Sequence, residues 1–392
     1  MKKKIAILGS TGSIGKNTLE IINKDIKKFE IELLTTNSNV SNIVKQVKKF
    51  KVKNIIVKNK KSFDLVKKKL RKNNVKIFNG YNIFNKIFKK RKIDYTMSAI
   101  SGFDGLEPTI KIIKFTKKIA IANKESIICA WDLIKKELTK NKSEFVPVDS
   151  EHFSIWQCLG GFNVNNVEKV YITASGGPFL NLPINQLKKV KPSNAINHPI
   201  WKMGKKISVD SSTMMNKVFE ILEAQKIFNL KKTQLDILIH PTAYLHSIIK
   251  YKNGISKLLV HETNMKIPIF NTLYDKNQKI FNSKSVDFKK LNNLNLSAPD
   301  LKKFKLLNIL NKFDDNNSLY DTVLVSANDE LVSQFLNNNI SYRDIYILIN
   351  KILNIKEFRH LKRKIPRNIN EIVNLNKYVR LKTLDLCIKD HK

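Results

Sequence analysis

The sequence contains few cysteines, no long apolar run and no cluster of arginines. Its three cysteines are an odd number without the spacing of metal ligands, which predicts reduced thiols in a reducing compartment. No apolar stretch reaches the roughly 20 residues of a membrane-spanning helix. The apolar run after the basic residues 1–4 is interrupted at Gly9, so we expect no signal peptide. The sequence therefore predicts a cytoplasmic protein that does not use a membrane.

Acidic residues are scarce as well. The 33 Asp and Glu residues face 72 Lys and Arg residues, which gives a formal net charge of +39. Such an excess is typical of proteins that bind nucleic acid or an anionic surface. Here the excess is almost entirely lysine and is spread along the chain among Asn, Ile and Phe, as a codon bias towards A and T would produce. We therefore expect no specific nucleic-acid partner, although the positive field would attract a small phosphorylated substrate.

The length of 392 residues is too great for one ordinary hydrophobic core. We predict an α/β protein with an N-terminal doubly wound Rossmann-like domain (1–149), a central α/β catalytic domain (150–274), a linker (275–299) and a C-terminal helical bundle (300–392). In the first domain, helix-length amphipathic segments separate the apolar runs, which indicates parallel strands with crossovers. Its strands are expected at 4–8, 30–35, 53–57, 94–99, 118–122 and 144–148, and the C-terminal helices at 301–313, 320–337, 342–353 and 369–388.

A glycine-rich segment, Gly9 to Gly15, follows the first predicted strand and precedes a helix. Its glycines allow a tight turn and the close approach of a pyrophosphate to a helix N-terminus. The spacing is not the familiar Gly-x-Gly-x-x-Gly, and a plain glycine turn is the alternative, but the position within a βαβ unit favours a dinucleotide. The second strand ends at Thr35 to Asn39 without the acid that holds an NAD ribose, which favours NADP.

The segment Val148 to His152 combines two carboxylates, a hydroxyl and an imidazole behind an apolar strand. If the segment is extended, Asp149 and Glu151 share one face and can converge on a hard divalent cation, Mg²⁺ or Mn²⁺. The alternative is an acidic start of the following helix. Lys124 and Glu125 follow the fifth predicted strand, at the sheet edge where open α/β proteins bind ligands, so we expect them near the substrate rather than in a surface ion pair.

Two glycine-containing loops follow. Ser175 to Phe179 is a turn that offers backbone N–H groups to an anion, and a turn without a ligand is an equal alternative. His198 to Gly204 carries a tryptophan between Pro and Gly, which indicates a lid over substrate or a loop anchored to the core. His240 and His246 have no neighbouring ligands in sequence and are interpreted as structural.

Residues 207–220 are predicted to form a strand followed by a helix. On that helix Asn216 and Glu220 share one face at i and i+4. Glu220 offers a third carboxylate, and a phosphate would find suitable donors in Ser211, Asn216 and Lys217.

Five of these motifs occur in the order and spacing of one family. They are Gly9 to Gly15, Ala122 to Ser126, Pro147 to His152, Ala174 to Phe179 and Ile207 to Lys217. Over essentially its whole length the chain resembles the 1-deoxy-D-xylulose 5-phosphate reductoisomerases. The resemblance implies a homodimeric enzyme of isoprenoid synthesis that uses NADPH and a divalent metal. Its substrate would be a phosphorylated ketose, which it rearranges and reduces to 2-C-methyl-D-erythritol 4-phosphate.

The resemblance also implies roles for individual residues. Asp149, Glu151 and Glu220 would bind one Mg²⁺ or Mn²⁺, and Lys124 would complete the catalytic group. Substrate contacts are implied for Ser150, Ser175, His198, Trp201, Ser211, Asn216 and Lys217, with a lid near residues 197–205. Cofactor contacts are implied for Thr11, Gly12, Ser13, Ile14, Asn37, Asn39, Asn123, Glu125, Met203 and Gly204.

The chain departs from the family pattern at supporting positions. Asn37-Ser38-Asn39 stands where many relatives have Gly-Lys-Asn, and further departures are Val218, Phe219, Thr242, Ala243 and His261. Two other functions are compatible with parts of the sequence, namely a dehydrogenase that uses NADP without a metal and a basic nucleic-acid-binding protein on a decayed enzyme scaffold. The three carboxylates argue against both.

Overall fold

The computed structural model of the chain describes residues 2–89, 91–160, 163–274 and 279–389. The chain divides into two compact units. The first unit consists of the chain up to Ser126, Ile134–Asp149 and Asn264–Asn282, and the second of Ile127–Leu133, Ser150–Thr263 and the chain from Ser283. The division into domains at 149, 274 and 299 stays a prediction, and residues 275–278 of its linker lie outside the described residues.

The strands and helices are numbered in chain order. The strands are β1 Lys3–Leu8, β2 Phe29–Thr36, β3 Asn54–Val57, β4 Lys76–Phe78, β5 Ile93–Ser98, β6 Thr116–Ile121, β7 Glu144–Pro147, β8 Val167–Ala174, β9 Leu235–Ile239, β10 Leu245–Tyr251 and β11 Ser256–Val260. The helices are α1 Ser13–Asn23, α2 Val40–Phe50, α3 Lys60–Lys69, α4 Phe84–Phe88, α5 Leu106–Ile113, α6 Lys124–Asn141, α7 Ser150–Leu159, α8 Pro192–Ala195, α9 Lys205–Thr213, α10 Met215–Phe228, α11 Lys266–Leu273, α12 Phe288–Asn292, α13 Leu319–Leu336, α14 Tyr342–Asn354, α15 Lys356–Arg359 and α16 Ile369–Lys389.

The first unit is built on a parallel sheet. Its order in the described part of the chain is β4-β3-β2-β1-β5-β6-β7. The predicted doubly wound fold and its six strands are confirmed, and β4 is an additional edge strand, too short to show a pattern in the sequence. In β1, residues 5–8 are completely buried, as expected for a strand covered on both faces. The strand order reverses between β1 and β5, where such sheets bind ligands outside the carboxyl ends of the strands.

The second unit is built on a mixed sheet in the order β11-β10-β8-β9. Strands β8 and β9 are parallel, and β10 runs antiparallel to β8 and to β11. Helix α7 packs against β10 and β11, and α13 packs against α14 and α16. The predicted helical C-terminal region is confirmed, except that Lys305–Lys312 forms a 3-10 helix inside the expected helix at 301–313.

Two local predictions were wrong. Residues 207–209, expected in a strand, lie in α9, with Val209 completely buried. Valine is β-branched and favours strands, but this intrinsic preference is weak. The burial of its side chain in the folded protein outweighs it. Glu151 lies in the first turn of α7 and not in an extended segment, so the acidic helix start is the observed local structure. Among the described residues, no helix is both long and apolar enough to cross a membrane.

Candidate active site

The glycine-rich loop after β1 has little room for side chains. Gly9 has φ +80°, and a Cβ atom added there would lie 2.7 Å from the carbonyl oxygen of Ala99 after β5. A Cβ atom on Gly15 would collide with the carbonyl of Gly9, so close packing requires glycine at both positions. Gly12 is the N-cap of α1 and is exposed together with Ser13. The helix N-terminus is therefore accessible to an anion, as pyrophosphate binding requires.

The end of β2 holds this loop in place. The Ser10 hydroxyl donates to Gln46 Oε1 at 2.7 Å and lies 3.2 Å from the carbonyl oxygen of Thr35. The hydroxyls of Thr11 and Thr36 lie 2.8 Å apart. The structure thus joins the predicted pyrophosphate loop to the predicted ribose corner. The cofactor residues predicted here, Thr11, Gly12, Ser13 and Ile14, lie on this loop or in the first turn of α1.

A buried ion pair lies at the carboxyl edge of the same sheet. The Lys124 ammonium, at the start of α6, is 2.7 Å from Asp149 Oδ2, and the two side chains are 8% and 15% exposed. A charged group at this depth requires an oppositely charged partner, because the loss of its hydration is otherwise not compensated. The alternative, an exposed ion pair between Lys124 and Glu125, is thereby excluded, because both residues are buried. Asp149 is bonded directly to Ser150, the first residue of α7.

Asn123 and Glu125 flank this lysine in the sequence. Asn123 caps α6 by accepting from the Ser126 N–H at 2.7 Å, and its amide donates to the carbonyls of Ile100 and Gly102. The Glu125 carboxylate lies 3.3 Å from the same amide and is buried. In this structure Asn123 therefore shapes the loop after β5, and its predicted contact with cofactor stays a prediction.

In the second unit, two carboxylates meet at one ammonium. Lys217 Nζ lies 2.5 Å from Glu151 Oε1, 2.5 Å from Glu220 Oε2 and 2.7 Å from the Thr173 carbonyl oxygen. Glu220 is completely buried. Burial by itself would lower the pKa of Lys217, but the two carboxylates raise it above its ordinary value. The sequence placed Lys217 with the phosphate donors, and here its ammonium contacts the carboxylates.

The surroundings orient these carboxylates. Asn216 donates to Glu220 Oε1, and the Ser150 hydroxyl donates to Glu151 Oε2 at 2.5 Å. The His152 imidazole donates through Nε2 to the Glu220 backbone carbonyl at 2.9 Å. The donor set fits a hard divalent cation, because carboxylate oxygens from α7 and α10 already converge on a single positive charge. Sequence reasoning placed no role on the Thr173 carbonyl, since backbone atoms leave no signal in residue types.

The turn from Ser175 to Phe179, called the anion turn below, packs against α9. Gly176 and Gly177 have φ +84° and +65°, and a Cβ atom added at Gly177 would lie 2.8 Å from the carbonyl oxygen of Ser211. The Gly177 N–H is 3.3 Å from Ser175 Oγ. The structure thus brings together Ser175 and the Ser211 segment, which are far apart in sequence.

His198 connects the predicted lid segment to this turn. Its Nδ1 accepts from the backbone N–H groups of Ile200 (3.1 Å) and Trp201 (2.9 Å), so the ring proton is on Nε2, which lies 3.1 Å from Ser175 Oγ. Burial lowers the pKa of His198 to about 4, with the Lys217 charge as a smaller cause. The neutral ring is therefore the form that makes these contacts within the predicted lid segment.

Trp201 contacts an imidazole pair. Its ring meets His246 edge-on at 6.3 Å, and His246 stacks on His261 with ring centroids 3.7 Å apart. His246 Nε2 donates to the His261 carbonyl at 3.1 Å. The structural role predicted for His246 agrees with these contacts. Of the other predicted lid residues, Met203 is half-buried, and Gly204 is exposed at the N-cap of α9.

Comparisons with known proteins agree with this geometry. Models of 1-deoxy-D-xylulose 5-phosphate reductoisomerase match residues 5–131, its C-terminal domain model matches 145–228, and a further C-terminal domain model matches 261–382. A protein of Pelagibacter ubique with this family name is 58% identical over 98% of this chain and 100% of its own length. A Francisella tularensis relative is 38% identical over 97% of both chains.

Solved structures lead to the same family. A Zymomonas mobilis reductoisomerase in complex with NADPH superposes with a TM-score of 0.87 at 30% identity and 99% coverage of both chains. A reductoisomerase in complex with NADPH, fosmidomycin and magnesium gives a TM-score of 0.90 at 30% identity and 98% coverage of both. Together with the two glutamates that meet at Lys217, these matches show that the chain belongs to the 1-deoxy-D-xylulose 5-phosphate reductoisomerase family.

Proposed function

We propose that the residues described above carry out the family's reaction in this chain. The chain rearranges 1-deoxy-D-xylulose 5-phosphate and reduces it with NADPH to 2-C-methyl-D-erythritol 4-phosphate, a step of isoprenoid precursor synthesis. The observation that supports this best is the convergence of Glu151 and Glu220 on one cationic nitrogen.

In this proposal Asp149, Glu151 and Glu220 hold one divalent cation, Mg²⁺ or Mn²⁺. When bound, this cation would polarise the substrate carbonyl and fix the neighbouring hydroxyl oxygen. Ser150, which donates to Glu151, would contact the same end of the substrate. Lys124 would present its ammonium there, and its pairing with Asp149 supports that position. The burial of these charges strengthens their electrostatic effect on a reacting group.

The phosphate of the substrate would be held by the anion turn and the segment after it. Ser175 and Ser211 are brought together by the close packing of Gly177, and Asn216 and Lys217 follow in α10. Lys217 has two roles in this proposal, since its ammonium can turn to phosphate when a divalent cation takes over the carboxylates. His198 and Trp201 would close the lid and exclude water from the reacting carbonyl.

NADPH would bind at the carboxyl edge of the parallel sheet. Its pyrophosphate would lie against Thr11, Gly12, Ser13 and Ile14, and its adenosine ribose near Asn37 and Asn39. Asn123, Glu125, Met203 and Gly204 would contact the remainder of the cofactor. A homodimer and a cytoplasmic location complete the proposal.

The test is NADPH oxidation by the purified chain with 1-deoxy-D-xylulose 5-phosphate. We expect turnover with Mg²⁺ or Mn²⁺ that EDTA abolishes. Glu151→Gln should reduce kcat on the order of 10²–10³-fold, because the amide cannot supply an anionic ligand. Glu168→Gln changes the same group on an exposed part of β8 and should retain activity. Turnover in EDTA, or full activity of Glu151→Gln, would contradict the metal assignment.

A further inference from the structure

The corner that should recognise the 2′-phosphate of NADPH has no charge of its own. Asn37, Ser38 and Asn39 are exposed after β2. The Asn39 side-chain oxygen is occupied as the cap of α2, where it accepts from the Asn42 N–H at 3.1 Å. Enzymes that prefer NADP usually place a cation near this position. A cation for the 2′-phosphate would therefore have to come from another segment.

The segment after β3 is fixed against this corner. The Lys58 N–H donates to the Thr36 carbonyl at 3.1 Å, and the Asn59 N–H donates to the Asn37 carbonyl at 3.0 Å. The backbone of residues 58–59 thus extends the parallel pairing of β3 with β2 beyond the end of both strands. Since the hydroxyl of Thr36 also contacts Thr11, Lys58 is joined through two hydrogen bonds to the predicted pyrophosphate loop.

The Lys58 side chain points across the sheet edge. Its ammonium lies 3.4 Å from the carboxylate of Asp104, which follows β5. Strands β2 and β1 lie between β3 and β5 in the sheet, so the side chain extends past the ends of both. The pair is therefore at the carboxyl edge where the ribose of a dinucleotide binds. The two side chains are 45% and 68% exposed, so their attraction is weak and screened, and a phosphate can compete for the ammonium.

We infer that Lys58 determines the specificity of this chain for NADPH by binding the 2′-phosphate from the neighbouring strand. This inference rests on the proposed use of NADPH at this sheet edge. Lys58 supplies the charge that the Asn37-Ser38-Asn39 corner lacks, and its backbone anchoring keeps the ammonium within reach. Because Asp104 competes with the phosphate, its removal should favour the phosphorylated ligand.

The experiment measures binding of 2′,5′-ADP and of 5′-AMP to the full chain by calorimetry at low salt, without turnover. We expect Lys58→Gln to weaken the binding of 2′,5′-ADP about tenfold, because a charge-assisted hydrogen bond is lost. The affinity for 5′-AMP should be unchanged. The control is Lys53→Gln, an exposed lysine next to the opposite, amino end of β3. This substitution should change the affinity for neither ligand. Asp104→Asn should tighten 2′,5′-ADP about two- to threefold, since a weak competing pair is removed.

The outcomes separate this inference from the proposed function. If the unmodified chain does not prefer 2′,5′-ADP over 5′-AMP, the use of NADPH at this edge is contradicted. If it does prefer 2′,5′-ADP and Lys58→Gln keeps that preference, Lys58 is not the determinant and the inference is overturned. Equal weakening of both ligands by Lys58→Gln would indicate a general structural effect and would also overturn it. Kinetically, the KM for NADPH should rise about tenfold in Lys58→Gln, while the KM for the ketose phosphate stays unchanged.

Discussion

The buried ammonium of Lys217 neutralises two carboxylates. Removal of this ammonium should therefore destabilise the site. In Lys217→Met, Glu151 and Glu220 would be left as buried like charges. We expect a loss on the order of 3–5 kcal/mol of unfolding free energy, the usual result of breaking a buried pair. Mg²⁺ should restore much of it, because a ligand that binds only the folded state stabilises that state.

Thermal unfolding with and without Mg²⁺ measures this effect. Lys226→Met is the matched control, because Lys226 also forms a buried pair, with Asp321 at 2.9 Å, but the pair involves no proposed metal ligand. Mg²⁺ should raise the Tm of Lys217→Met by several degrees more than that of Lys226→Met. Equal responses of the two variants would contradict a cation site at these glutamates.

His198 gives a second prediction, for pH. Its folded-state pKa of about 4 lies below its ordinary value of 6.5, so the unfolded chain binds more protons between these values. The stability that neutral His198 contributes is complete above pH 6.5 and is lost as pH falls through about 4. NMR titration of the His198 ring should give a midpoint near 4, with the signal assigned by its absence in His198→Asn. A midpoint near 6.5 would contradict the buried, lid-organising role.

Residue types alone indicated most of the site, but not how the groups pair. Glu151 and Lys124 stand out because charged groups follow apolar runs at a sheet edge, and Glu220 stands out because it shares a helix face with Asn216. Lys217 was interpreted as a phosphate ligand because sequence shows neighbours along the chain and not the carboxylate brought in from α7. Lys58 carried no signal, since its role depends on the alignment of two strand ends.

At the scale of elements, the contact between the anion turn and α9 rests on one glycine. Gly177→Ala would force a Cβ atom to within 2.8 Å of the Ser211 carbonyl oxygen and would also strain a positive φ. The anion turn and α9 must then separate. We expect the KM for the ketose phosphate to rise about tenfold or more, because a misplacement of about 1 Å can reduce the rate by roughly 100-fold.

Gly254→Ala is the control, because it introduces backbone strain without a steric contact. Gly254 has φ +86°, and no described atom lies within 4 Å of an added Cβ. This variant should lose about 1 kcal/mol of stability from the backbone alone and keep its KM. If both variants show the same steady-state kinetics, the packing of Gly177 on Ser211 does not position the phosphate site.

The elements themselves were predictable to different degrees. The parallel strands and the long helices α13, α14 and α16 have strong apolar periodicity, and they were found close to their observed limits. Residues 207–209 and 149–151 were not, because helix formation there is decided by burial and by the chain direction at a strand end. Residues 149–151 lie in the site and residues 207–209 shortly precede its Ser211, and near functional sites local preference and final structure are expected to disagree.

At the scale of the whole molecule, the net charge of +39 should accelerate encounter with an anionic substrate. We expect kcat/KM for the ketose phosphate to fall several-fold between about 20 and 300 mM KCl, because screening shortens the range of the field. Viscosity-matched controls separate this effect from slower diffusion. A kcat/KM that is independent of salt would show that the lysines have no steering role.

The interleaved course of the chain through the two units has a consequence for biosynthesis. The first unit includes Asn264–Asn282, and within it Lys266 of α11 pairs with Glu20 of α1 at 2.6 Å. A ribosome that has released only the first 150 residues has therefore not yet supplied all parts of that unit. Its sheet can form early, but the unit cannot be completed until about residue 282 has left the exit tunnel.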